Sequence, residues 1–223
     1  MSLMEQMIGW IYLPVHSIGL HFFASFIVSL TGYDNSQYNL FCYTVGFVVL
    51  SLAMSSYLRN SLDVFLDNIW LSLRSVGTNL ILYYVAQYAI TLFLLMAISQ
   101  TVNPNTETVD EAIQVNSKIM LFLAAVLAPF VEEILFRGVV FGNIAKKNRT
   151  AAYIISTVLF AAYHLWIYVL YGESILIILI YSVQYVPASV LFARTYEQSG
   201  NIYAPMLMHM IINIIAVNAA SGI

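Results

Sequence analysis

Glu132, Glu133 and Arg137 sit inside an otherwise apolar run, Lys118 to Lys146, that reads KIMLFLAAVLAPFVEEILFRGVVFGNIAK. An ionisable side chain at mid-bilayer is costly, so it faces a partner or a water-filled cavity. Glu133 and Arg137 stand at the i,i+4 spacing that stacks two side chains on one helix face. Two later apolar runs carry further polar groups: Phe160 and His164 in FAAYH, and His209 and Asn213 in HMIIN. A spacing of four puts each pair on one face. The chemistry these types suggest is water activation. A carboxylate taken out of water is a stronger general base near neutrality. A histidine opposite it shares the water and later protonates a leaving group, while a second histidine with an asparagine offers donors to an oxyanion.

The two acids divide by their neighbours. Glu133 has Arg137 one turn on and is assigned to holding the helix. Glu132 points about 100° away, has no base at i±3 or i±4, and is the freer of the two to act on water. Pro129 should loosen the backbone just before them. Structural readings exist for each part: a buried ion pair, a packed histidine, polar side chains bridging helices. Glu132, His164 and His209 also have the make-up of a two-histidine, one-carboxylate metal site. His16 and His21 lack such company and read as structural.

The elements that must position these groups are membrane helices. The 223 residues are 61% hydrophobic and 9% charged, where a soluble domain has about a quarter charged, and the mean hydropathy is +0.83. Apolar runs of about 20 residues indicate a polytopic all-α bundle rather than a barrel. Seven spans are expected: Met7–Leu30, Phe41–Tyr57, Asn79–Ile98, Lys118–Phe141, Ala151–Tyr171, Ser174–Phe192 and Tyr203–Val217. Arg59–Thr78 mixes charge with apolar residues at helical spacing and suits an interfacial amphipathic helix. Ser99–Ser117 reads as an acidic linker. No repeat or soluble domain interrupts the chain, which is read as one integral membrane domain, 1–223. Its first apolar run lacks a basic lead and a cleavage site, so it reads as a retained span. A net charge of −3 without a basic block argues against nucleic acid. Cys42 is the single cysteine, which excludes an intrachain disulfide and a multi-cysteine metal site.

Arg59 and Arg74, then Lys146, Lys147 and Arg149, then Arg194 fall at one side of the seven spans, and Asp34, the acidic linker and Glu173 at the other. The positive-inside rule then puts the N-terminus in the cytoplasm and the C-terminus outside, in a cell membrane. At ~1.5 Å per residue, Glu132 and His164 come to lie about 20 Å, and His209 and Asn213 about 12 and 18 Å, above the cytoplasmic ends of their helices. The polar groups therefore converge in depth. A cut at or near the cytoplasmic side of the membrane is expected.

EEILFR, FAAYH and HMIIN, in that order on separate spans, resemble the EExxxR, FxxxH and HxxxN motifs of the CPBP or Abi family of CAAX proteases and bacteriocin-processing enzymes. The likeness covers about 118–217. It implies a glutamic intramembrane protease in which Glu132 activates water alongside His164. His209 and Asn213 would support the oxyanion, and Glu133, Arg137 and Phe160 would have supporting places. It implies no metal and no cofactor. The partners would be a peptide or membrane-protein substrate and lipid. The prenyl-protein branch commonly has a second polar residue four after the FxxxH histidine; here that position is Tyr168. The small size leans toward peptide maturation or bacteriocin self-immunity. The alternative class is a non-proteolytic membrane immunity or scaffold protein; a proton- or ion-coupled carrier would call for repeats or paired broken helices, which the sequence lacks. HExxH and GxGD signatures are absent from the sequence.

Overall fold

A computed structural model describes residues 1–31, 35–98 and 102–221. Asp34 and the first residues of the acidic linker lie outside them. All regular structure among the described residues is helix. Five helices are long and apolar enough to cross a membrane, or six if one bent pair is a single span, where seven spans were expected. The first expected span consists of α1 (Leu3–Pro14) and α2 (Leu20–Thr31), joined by a widened turn over Val15–Gly19.

Three sequence expectations shift. The second span, α3 (Asn35–Ala53), breaks at Met54 and turns 84° into α4 (Ser55–Asp67). Glu5 of α1 supports this corner by accepting the Tyr57 backbone N–H at 2.8 Å, serving one of the orphan donors at a helix start. The amphipathic stretch is thus divided. Its first part is α4, whereas residues 69–78 open α5 (Ile69–Ile98), a 30-residue helix that outruns the expected third span. The acidic linker is not a linker after Pro104. Asn103 caps Thr106 N–H at 3.0 Å and Pro104 occupies the first turn, where its missing N–H costs nothing. Ala112 and Ile113 then bury against Met120, Ala124 and Val217. The chain continues across a kink at Asn116 (φ −152°, ψ 84°), whose side chain accepts the Ile119 N–H at 3.1 Å, as the bent helix α6 (Pro104–Ala145), 42 residues long.

Helix α6 is the hub. Its apolar window is 72% buried, against 6–33% in the other four candidate spans. Around it stand α7 (Arg149–Leu170), α8 (Ile175–Ser199) and α9 (Tyr203–Ser221). Outward-facing Ile81, Val85, Phe93 and Met96 of α5 are exposed, the surface a lipid-facing helix presents.

The α8–α9 turn fixes the height of α9. Gly200 closes α8 with φ 69°, a left-handed geometry that glycine adopts without strain. Asn201 then accepts the Ala204 N–H at 3.0 Å and donates to Ser72 Oγ at 2.9 Å, while Ile202 N–H donates to Ser61 Oγ at 2.7 Å. Arg149 pairs with Glu197 at 2.6 Å. These contacts gather the ends of α4, α5, α7, α8 and α9 into one basic end of the bundle. At the opposite end Asn103 bonds to Gln184, and Tyr168 donates to Thr108 at 2.9 Å.

Candidate active site

Helix α6 is distorted where it carries the acids. The Ala128 N–H reaches back five residues to Leu123 O. In that register Pro129 would serve Ala124 O, but proline has no N–H. Asn213 of α9 takes the place, donating its amide to Ala124 O at 3.0 Å. A second widened stretch, Ile134–Phe141, follows Glu133. Such turns gather at functional sites.

Glu133 and Arg137 are fully buried, with Arg137 Nε 3.3 Å from Glu133 Oε2. The guanidinium lies over the Phe160 ring at 4.4 Å and the Phe192 ring at 5.0 Å, and Nη2 donates to the Ser189 carbonyl at 3.3 Å. Phe160 therefore supplies the face on which the cation rests. The other Glu133 oxygen accepts from His209 Nδ1 at 2.8 Å. One carboxylate thus holds both the arginine of its own helix and the histidine of α9.

Glu132 faces elsewhere. Its Oε1 accepts the Tyr43 hydroxyl of α3 at 2.6 Å. Its Oε2 has no direct hydrogen bond among the described residues and stands 3.7 Å from His164 Nε2 and 3.9 Å from His209 Nε2. These separations are too long for direct hydrogen bonds, and a water beside the three atoms, on the cavity side, can reach them. His164 Nδ1 is 2.9 Å from the Phe160 carbonyl. A carbonyl and a carboxylate only accept, so both imidazoles carry their proton on Nδ1 and turn Nε2 toward Glu132. His209 stacks on Phe192 at 4.6 Å, and His164 lies against Tyr185 at 4.7 Å.

Glu132, Phe160, His164, His209 and Asn213 all line one cavity of about 490 Å³. It runs from Glu132 past Asn103 and Asp110 to the exposed Thr106, away from the basic end. An approach from the side of Lys146 and Arg194 was expected. The cavity lies on the other side because Phe136, Val139, Val140 and Phe141 pack the basic-end half of α6 solid. Asn213 sits on the wall with one amide N–H spent on Ala124, a use the four-residue spacing did not reveal. As to metals, Glu132 with the two histidines supplies the donor types of a two-histidine, one-carboxylate site, yet among the described residues no group of three His, Cys, Asp or Glu side chains is arranged to hold an ion.

Three participants were not read from the sequence. Tyr43 lies in a span without motif or charge. Tyr163 stands within FAAYH, one residue before His164, and bonds to Tyr43 at 2.8 Å. His16, for which the sequence suggested no polar company, reaches Tyr163 at 3.3 Å.

Residues 114–215 match the model of the type II CAAX prenyl endopeptidase Rce1-like family. All three motifs fall inside the matched stretch. The chain is also similar to the membrane-embedded CAAX protease MroQ of Staphylococcus aureus (strain USA300), 29% identical over 141 residues, 62% of this chain and 53% of that relative. The chain thus spans about half the length of the curated relative it matches. No solved structure matches it.

Proposed function

We propose that this multi-pass membrane protein is an intramembrane glutamic endopeptidase. The observation that carries the reading is the unbonded Glu132 oxygen set 3.7 and 3.9 Å from two oriented imidazole nitrogens at the base of a cavity. The Rce1-like match and the similarity to a named CAAX protease support the same class.

In this mechanism a water donates to Glu132 Oε2 and to His164 Nε2. Glu132 takes one proton as the oxygen attacks the scissile carbonyl carbon. The oxyanion forms beside His209, whose Nε2 donates when the ring is protonated, and Glu133 steadies that imidazolium through Nδ1. The intermediate collapses, the C–N bond breaks, and the proton held by Glu132 passes through His164 to the departing amine. Water is consumed and no other group is changed. The reaction is metal-free, so chelator-treated protein should keep its turnover. A loss restored by a divalent ion would assign Glu132, His164 and His209 to a metal instead.

The cavity wall is rich in amides, Asn39, Gln87, Asn103, Asn105 and Gln184 among them, groups that pair with an extended peptide backbone. With the basic end in the cytoplasm of the cell membrane, the N-terminus is cytoplasmic and the cavity mouth faces outward. The substrate is a peptide or a membrane-protein segment presented from that side, as in peptide maturation or bacteriocin self-immunity. The test compares peptides released by cells carrying the wild type or Glu132→Gln. A product seen only with the wild type supports the reading, whereas identical peptide profiles in cells that express both proteins equally contradict it.

A further inference from the structure

Outside the matched stretch, the first two membrane segments send a chain of hydrogen bonds to Glu132. Tyr43 of α3 donates to Oε1 at 2.6 Å. Its single proton is committed there, so in its 2.8 Å contact with Tyr163 it accepts and Tyr163 donates. The Tyr163 proton is then spent as well, and the 3.3 Å contact with His16 Nε2 places a proton on that nitrogen. His16 Nδ1 accordingly makes no hydrogen bond among the described residues, as expected of a neutral imidazole protonated on Nε2.

The packing holds this order. His16 is buried and lies edge-on to Tyr43 at 5.4 Å and stacked with Tyr163 at 6.1 Å. Gly46 of α3 gives it room, since a Cβ there would stand 3.1 Å from the His16 ring and 3.0 Å from Val131, tight enough that a neighbour would have to give. A second cavity, of about 310 Å³, is lined by His16, Tyr43 and Tyr163. Tyr43 and His164 line both cavities, so the chain of phenols forms part of the partition between them.

We propose that Tyr43, Tyr163 and His16 form a positioning arm that fixes the rotation of the Glu132 carboxylate, turning Oε2 toward His164 and His209. The arm rests on the proposed catalytic role of Glu132 and gives the N-terminal segments a part in it. A carboxylate with one oxygen tied to a phenol cannot rotate about its last bond without breaking that bond. Tyr43 acts on the carboxylate directly, Tyr163 only through Tyr43, and His16 only through Tyr163. That serial order is testable.

The experiment uses full-length protein in liposomes, as wild type, Tyr43→Phe, Tyr163→Phe, the double variant and Glu132→Gln. Two readouts are taken: kcat and KM for a peptide that the wild type cuts, and the rate at which dicyclohexylcarbodiimide modifies Glu132, mapped by mass spectrometry with Glu133 as internal reference. Tyr43→Phe should lower kcat about tenfold or more with KM unchanged. Tyr163→Phe should lower it roughly threefold, and the double variant should match Tyr43→Phe alone. Labelling of Glu132, but not of Glu133, should rise in the same order. Wild-type kcat and labelling in Tyr43→Phe would overturn the arm, as would fully additive losses in the double variant. Tyr163→Phe carries the test if Tyr43→Phe does not fold. Absence of cleavage by the wild type would count against the endopeptidase reading, and labelling would still decide the arm.

Discussion

Two buried polar clusters in this bundle are built to opposite plans. At the α8–α9 turn, Asn201 spends its oxygen on Ala204 N–H and its amide on Ser72 and the Ser199 carbonyl, while Ser61 takes the Ile202 N–H. Around Glu132, an oxygen and two imidazole nitrogens converge at 3.7 and 3.9 Å without direct bonds, on a cavity wall. The first plan satisfies donors and acceptors within the protein and joins helix ends. The second leaves valence open where a small molecule fits. In a low-dielectric interior a saturated network rigidifies, whereas an open one is costly unless something occupies it. The adjacent acids differ in their partners: Glu133 pairs with Arg137 and bonds to His209, whereas Glu132 bonds to Tyr43 and turns Oε2 to the two imidazoles.

The contrast can be broken by moving a residue's effect from one category to the other. The largest expected effect is on rate. His164→Ala should lower turnover by roughly 10²–10⁴-fold with little change in thermal stability. Unfolding of that variant instead would put His164 with the saturated cluster. Arg137→Leu comes next. It strands Glu133 as a buried unpaired charge and should cost about 3–5 kcal/mol of stability, read from denaturant titration in detergent. Asn201→Ala should cost about 2–3 kcal/mol by leaving the Ala204 N–H and the Ser72 hydroxyl short of partners. Its kcat per folded molecule should stay at the wild-type value. Asn213→Ala sharpens the comparison at its smallest scale. If the amide chiefly answers the carbonyl that Pro129 leaves free, the cost is about 1 kcal/mol of stability and less than tenfold in rate. A loss of 10² or more in kcat would make Asn213 an oxyanion donor.

The sequence made legible what local spacing and charge encode. The pairing of Glu133 with Arg137 is written in an i,i+4 step, and α7, α8 and α9 lie near where the apolar runs put them. Residues 104–117 were misread because polar residues dominate the stretch, although Ala112 and Ile113 give it a buried stripe. Arg59–Thr78 looked like one amphipathic helix because the break at Met54 and the restart at Ile69 depend on contacts such as Glu5 with Tyr57, 52 positions apart. The Tyr43 bond to Glu132 joins residues 89 positions apart, a distance at which periodicity carries no information. The link from Glu133 to His209 spans 76 positions and escaped notice for the same reason: each partner already had a local explanation. The cavity runs toward the polar first part of α6 while the apolar part after Glu133 is packed solid, a difference hidden by reading 104–117 as a linker.

The most direct test of the division of labour between the two acids measures thermal unfolding and peptide cleavage together, on purified wild type, Glu132→Gln and Arg137→Leu. Glu132→Gln should unfold at close to the wild-type temperature and show no turnover above background, because amide and carboxylate fill the same space but the amide takes no proton from water. Arg137→Leu should unfold at a clearly lower temperature. A Glu132→Gln protein that melts early while Arg137→Leu is stable and merely inactive would mean that the structural and catalytic carboxylates are the reverse of those assigned.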